Sequence, residues 1–283
     1  MNFQEKIKIA LSTYKKEKLG IYDAGIFRYR GKVLLKEHIL PVKLKDQNII
    51  RHYRDAFFSS TSSEIDFHKY FHHLNSSQAL CINLFYPLMA EDKLDLIMDL
   101  LGIPKTPITE TCFEKESDLE TGAGRKTNFD YFVQLFDRTK IYFEIKFSEA
   151  EFGNAKKDDE HKNKFTATYQ PLLENNSFIN QKYCEMDTFL SLYQIMRNLC
   201  HINDNSLVVF VYPKANENIH LQAQTVREKI LTDKGKEKFK ILLLESTIDE
   251  ILGQIQIPRL REHYMEFKDK YLSHNSTKIF LAR

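Results

Sequence analysis

Tryptophan is absent, and glycine (9), proline (7) and cysteine (4) are scarce for a chain of 283 residues. So few glycines and prolines exclude collagen-like repeats and low-complexity linkers, and suit a compact fold with short connections. Cys81, Cys112, Cys184 and Cys200 form no CxxC pair. A zinc ribbon, a thioredoxin-type motif and a disulfide framework are therefore not expected, and the four read as reduced, mostly buried thiols. Long apolar runs are missing too. The longest, Leu207 to Tyr212, falls far short of the roughly 20 residues of a membrane span. Charges interrupt the N-terminal stretch Met1 to Gly20 every few positions, so it contains no secretory h-region, and a cytoplasmic protein without membrane attachment is expected. An excess of one charge is also lacking: 41 Lys+Arg stand against 39 Asp+Glu, a net +2. Taken alone, that balance leans against a nucleic-acid partner. What is present is 42% hydrophobic and 28% charged residues, the composition of a globular protein and not of a disordered one.

The first hundred residues read as mainly helical. A first helix carries Phe3, Ile7, Ile9, Ala10 and Leu11 close to one stripe. Gly25 to Leu35 reads as a short hairpin across Arg30-Gly31-Lys32. Gln47 to Phe58 and Ser63 to His73 read as helices, Ser76 as the cap of a helix over Ser77 to Met89, and Asp92 to Leu101 as a further helix. From Ile108 the pattern changes. Thr109 to Lys115 suggests a strand, and a polar loop follows from Ser117 to Lys126. Thr127 to Phe136 and Lys140 to Phe147 are β-rich runs joined at Asp137-Arg138-Thr139, a hairpin signature. Residues 153 to 165 are densely charged and read as mobile. Thr166 to Leu173, Gln181 to Leu199, Asn216 to Leu231, Thr247 to Leu252 and Met265 to Leu272 read as helices. Leu207 to Tyr212 and Phe239 to Leu244 read as buried strands. Strand–helix alternation in the second half predicts an α/β core with crossovers. The expected division is a helical region over 1–105 and the α/β core over 106–283.

Asp130, Glu144 and Lys146 break the apolar rule within the main hairpin. A three-residue turn at Asp137 to Thr139 would pair Phe136 with Lys140, Phe132 with Glu144 and Asp130 with Lys146, bringing the three onto one patch. A two-residue turn would send Asp130 to the other face. Two carboxylates on a rigid hairpin can hold a hard divalent cation, with water completing the shell. A neighbouring lysine can assist the attacking water or stabilise charge in a phosphoryl transition state.

Asp130 followed by Glu144-Ile145-Lys146 resembles the D…(D/E)xK signature of the PD-(D/E)xK nuclease superfamily, the restriction-endonuclease-like fold. The segments Gly124 to Tyr131, Phe143 to Gly153, Ser76 to Cys81 and Tyr193 to Leu199 resemble a poorly characterised bacterial group within it, over residues 76 to 212. Phe129 stands where that signature usually has proline. The resemblance implies a mixed β-sheet flanked by helices, preceded by the helical N-terminal region. It implies Asp130 and Glu144 as ligands of Mg²⁺ or Mn²⁺ and Lys146 as the catalytic lysine. An additional acid is expected at Glu116 or Glu114, with Glu116 favoured, and a functional glutamine at Gln194. Arg197 is placed to face a phosphate. Lys156, Lys157, Lys162 and Lys164 are the candidate DNA contacts.

Each residue also has a plainer reading. Glu144 and Lys146 can be a solvated ion pair, Arg197 and Gln194 helix-surface groups, and the lysines a solvated run. His68, His72 and His73 fit zinc spacing but lack any accompanying motif, so a surface helix face is the better reading. The leading expectation is a metal-dependent nuclease acting on DNA, with RNA left open and a homodimer suited to double-strand cutting. The competing expectations are a catalytically silent nucleic-acid-binding protein of the same fold, and an unrelated α/β interaction protein.

Overall fold

A computed structural model describes residues 1–120, 125–174 and 176–273. Gly122, Ala123 and Gly124 of the expected loop lie outside them. The chain forms two compact units: unit 1 comprises Met1–Leu100, Pro213–Asn216 and Leu244–Arg283, and unit 2 comprises Leu101–Tyr212 and Glu217–Leu243. The expected boundary at 105–106 lies close to the start of unit 2, while everything from Leu244 onward belongs to unit 1. Among the described residues no helix is long and apolar enough to cross a membrane.

Unit 1 contains a two-stranded antiparallel sheet, β1 (Gly25–Tyr29) and β2 (Lys32–Lys36). Arg30 (φ 48) and Gly31 (φ 76) make the turn, and left-handed backbone at both central positions matches the twist of the flanking strands. The unit also contains the helices Phe3–Leu19, Arg51–Ser60, Ser77–Ala90, Leu244–Gln254 and Pro258–Tyr271. Ser76 caps the third of these by accepting from the Ala79 amide. The helix expected over Ser63 to His73 does not form beyond a single 3-10 turn at Ser62–Glu64. Its backbone groups are taken by side chains instead. Asn48 donates to the carbonyls of Phe71 (2.5 Å) and His73 (2.7 Å), while Gln78 donates to Asp66 O and accepts from the His68 amide. Such side-chain bonds compete directly with the helical ladder.

Unit 2 is built on a five-stranded mixed sheet: β3 (Ile108–Glu116), β4 (Asn128–Leu135), β5 (Lys140–Ile145), β6 (Ser206–Tyr212) and β7 (Phe239–Leu243), in that spatial order. The first three strands pair antiparallel, whereas β6 runs parallel to both β5 and β7. Parallel pairs need long crossovers, and the helices between β5 and β6 and between β6 and β7 supply them. One such crossover overturns the reading of residues 153 to 165 as mobile. Asp158 caps a helix over Asp159–Lys164, which runs through a π-turn at Phe165–Tyr169 into Gln170–Glu174. Buried Phe165 and Tyr169 anchor this charged segment. The single helix expected over Gln181 to Leu199 is likewise divided, into Met186–Ser191 and Tyr193–Leu199, by a non-helical Leu192. Phe129, Phe132, Tyr142, Val208, Phe210 and Tyr212 form the sheet side of the aromatic core, and Phe165, Tyr169, Phe189 and Met196 belong to its helical side.

Buried histidines contribute to the pH response of both units. Burial lowers His263 in unit 1 to about 3 and His201 in unit 2 to about 4, from an ordinary 6.5. Both are neutral when folded, but the unfolded chain protonates them below pH 6.5. Stability therefore falls as pH drops from 6.5 towards 4, by about 1.4 kcal/mol per pH unit for each histidine. Urea unfolding at pH 7 and pH 5 should show a lower midpoint at pH 5, and His201→Gln should flatten the unit 2 response.

Candidate active site

The candidate centre begins with an interruption in β-pairing. The recorded β4–β5 ladder runs from Gln134↔Lys140 to Tyr131↔Phe143. This register differs by two residues from the expected one. The turn falls one residue earlier than expected, over Phe136-Asp137-Arg138, with the Leu135 amide on Thr139 O and Arg138 in the left-handed region at φ 69. Beyond Tyr131 the strand rotates. Phe129 and Phe132 both pack on Tyr142, at 4.7 and 5.1 Å between ring centroids, although strict alternation would put them on opposite faces. Glu114 marks the same level on β3, between the pairs Phe113↔Tyr131 and Lys115↔Phe129, and it too is left-handed (φ 57). At this kink the Asp130 carboxylate accepts the Ile145 amide at 2.7 Å. A shift of two residues keeps each side chain on its face, and at the kink the Asp130 side chain takes the Ile145 amide.

Glu144 and Lys146 are nearly buried, 3% and 8% exposed. Lys146 Nζ lies 2.8 Å from Glu144 Oε1. Gln194, on the helix Tyr193–Leu199, binds both: its Nε2 donates to Glu144 Oε1 (2.7 Å) and its Oε1 accepts from Lys146 Nζ (3.0 Å). The same Oε1 accepts the Gly153 amide at 3.1 Å, and Gly153 O in turn accepts the Gln194 amide. One turn on, Asn198 Nδ2 donates to Glu144 Oε2 at 3.0 Å. Asn198 was not among the expected residues. Its signal was present as the i, i+4 spacing from Gln194, but nothing in the sequence aimed that face at Glu144.

The electrostatics are those of crowded negative charge. Burial and then the Glu144 charge push the Asp130 carboxyl well above its ordinary range, and Glu114 adds to this. Burial works against the Lys146 ammonium, but Glu144, Glu149 and Asp130 outweigh it and hold it above its ordinary value. Two carboxylates with oxygen donors only suit a hard cation such as Mg²⁺, which keeps several waters of its own. Among the described residues there is no ready-made group of three or more His, Cys, Asp or Glu side chains for a metal. The fit therefore rests on Asp130 and Glu144, whose mutual repulsion a divalent charge would offset.

The other expected residues divide clearly. Glu114 lies nearer the centre than the favoured Glu116: it bears on Asp130 and accepts from Asn128 Nδ2 at 2.5 Å, whereas Glu116 is exposed at the far end of β3. Arg197 does not present itself to a phosphate. It donates to Thr127 Oγ1 (2.9 Å) and Arg125 O (3.1 Å), and pairs with buried Glu120 at 3.4 Å. Lys164 is committed to the same carboxylate at 3.1 Å, and Lys157 pairs with Asp187 at 3.0 Å. Burial disfavours the Glu120 charge, but hydrogen bonds from Thr127 and the Arg197 charge outweigh it and lower the group to about 2. Lys156 and Lys162 are exposed. The histidines at 68, 72 and 73 are not on a helix, and His72 and His73 are buried.

A family model described as Restriction Endonuclease associating with ARP matches residues 8–272. No curated protein and no solved structure gives a match.

Asp130→Asn removes one of two repelling carboxylates while keeping an oxygen for the Ile145 amide. In metal-free buffer at neutral pH it should stabilise the protein by about 1 kcal/mol, read as a higher denaturation midpoint. A lower midpoint would contradict the repulsion argued above.

Proposed function

The chain belongs to the Restriction Endonuclease associating with ARP family, and on that premise we propose that it is a divalent-metal-dependent nuclease whose centre is Asp130, Glu144 and Lys146. Its α/β architecture with a five-stranded mixed sheet is consistent with a restriction-endonuclease-like fold, and the family makes DNA the substrate or partner. The PD-(D/E)xK assignment draws its support from one observation: a buried Glu144–Lys146 pair meets Asp130 at a break in the sheet.

Asp130 and Glu144 would hold the cation, Mg²⁺ or Mn²⁺. When bound, such an ion acidifies a coordinated water and offsets charge on a phosphoryl oxygen. The chain's own groups supply the rest. The Ile145 amide fixes the Asp130 carboxylate. Gln194 and Asn198 hold the two Glu144 oxygens. Gln194 also holds the Lys146 ammonium by its amide oxygen, which leaves Lys146 charged and oriented to steady negative charge developing on the phosphate. The Phe152 ring, 5.4 Å from Lys146 Nζ, limits water on that side.

The alternative is a silent nucleic-acid-binding protein of the same fold. One observation favours it: both Glu144 oxygens are already engaged by Lys146, Gln194 and Asn198. Incubation of plasmid and linear DNA with Mg²⁺ or Mn²⁺ separates the two readings. The enzyme reading expects cleavage that EDTA stops, and a loss of about 100-fold or more in Lys146→Ala and Asp130→Asn. DNA retained uncut in every divalent metal, alike for wild type and variants, would favour the silent protein.

A further inference from the structure

The hairpin β1–β2 belongs to unit 1 and takes no part in the centre around Glu144. One of its faces is held. A Cβ on Gly25 would come within 2.4 Å of the Ile39 side chain and 2.6 Å of Leu40 O, so only glycine permits that approach. The Phe27 ring lies 5.8 Å from Tyr70 and 5.7 Å from His73. The register pairs Phe27 with Leu34, and so turns Ile26, Leu35, Arg28 and Val33 to the opposite face. All four are exposed, Val33 at 55% and Leu35 at 69%. Every residue of β2 is exposed. A two-stranded ribbon with an open apolar face is marginal in water and invites pairing, and exposed apolar patches of this kind mark interaction sites.

Charge selects the occupant. From Ala24 to Lys36 the chain carries Arg28, Arg30, Lys32 and Lys36 and no acid, and all four cations are exposed. Asp23 and Glu37 bracket the segment, and Glu37 is bound to Lys16 at 3.1 Å. The cations sit at both ends of the ribbon. Lys36 pairs with Gly25 at the base and Lys32 with Tyr29 beside the turn, where Arg30 lies 5.2 Å over the Tyr29 ring. Four strand residues set Lys32 and Lys36 roughly 14 Å apart. The major groove of B-DNA is about 12 Å wide and admits a two-stranded ribbon. By the same register Lys32 and Lys36 lie on the Phe27 face and Arg28 on the open one, so Arg28 with Val33, Leu35 and Ile26 can meet phosphate and base edges such as thymine methyls, while the long lysine side chains reach past the ribbon's edges to flanking phosphates.

We infer that the β1–β2 hairpin is a DNA-docking arm, a binding site separate from the nuclease centre. The inference rests on DNA as the partner, as in the proposed function, but not on cleavage. Its test is therefore binding of a labelled DNA duplex without divalent metal, over a range of salt. Arg28→Ala, Arg30→Ala, Lys32→Ala and Lys36→Ala combined should weaken binding at least about tenfold and make the salt slope shallower by about two to four. Val33→Ser with Leu35→Ser should weaken binding while leaving the slope unchanged. Unchanged thermal unfolding is expected for the charge variant, because its residues are all exposed. Equal affinity and slope in wild type and the charge variant would overturn the arm while leaving the nuclease centre standing. So would substitutions that abolish retention on phosphatidylserine vesicles, or self-association, and spare DNA. A wild type that holds no DNA at all would overturn both the arm and the DNA reading. Lost cleavage in Lys146→Ala with hairpin-dependent binding intact supports the two as separate sites.

Discussion

The buried pair of Glu144 and Lys146 governs the organisation of unit 2. A carboxylate and an ammonium removed from water cost several kcal/mol each unless every remaining donor and acceptor is met. Here those demands are met by one short helix. Gln194 answers both charges through the two ends of its amide, and Asn198 takes the second carboxylate oxygen. The helix Tyr193–Leu199 must therefore lie over β5, and the Gly153 amide completes the arrangement by sharing the Gln194 oxygen. Orientation and burial of the charges are aspects of one network.

A second buried acid engages two cations, Arg197 and Lys164, that would otherwise look available to a polyanion. Glu120 gathers Arg197, Lys164, Thr127 and Tyr169. Arg197 belongs to the helix that carries Gln194 and Asn198, so this cluster also fixes the far side of the candidate centre. The near-equal totals of acid and base thus conceal a local order. Acids concentrate at the kink in β4 and at Glu120, while exposed cations gather on the hairpin of unit 1.

Asp130 shows how strain and chemistry meet. Left-handed Glu114 and the rotation of β4 open the ladder, and the Asp130 carboxylate fills the gap by taking the Ile145 amide. Regular pairing would have satisfied that amide with a carbonyl and left no acid at the break. Irregular backbone persists only where the surrounding structure holds it in place, and here a continuous aromatic core on the β4–β6 face does so.

Much of this was legible from residue order alone. Period-two alternation marked β4 and β5, an unbroken apolar run marked the buried parallel β6, and Arg30-Gly31 marked the small hairpin. Spacing of Asp130, Glu144 and Lys146 within those strands singled them out before any fold was known, because short-range periodicity sets which residues share a strand. Choices among equivalent partners were not legible. Glu114 and Glu116 look alike on a strand, and only a kinked backbone brings the first to Asp130. Arg197 and Lys164 look like phosphate ligands until Glu120, remote from both in sequence, claims them. Asn198 is one polar helix residue among many until the helix docks on Glu144. The same holds for Ser63 to His73, where helical periodicity yielded to side chains of Asn48 and Gln78. Local pattern decides the elements, but long-range packing decides which buried charge meets which partner, since the cost of an unmet charge is paid only once the chain has closed around it.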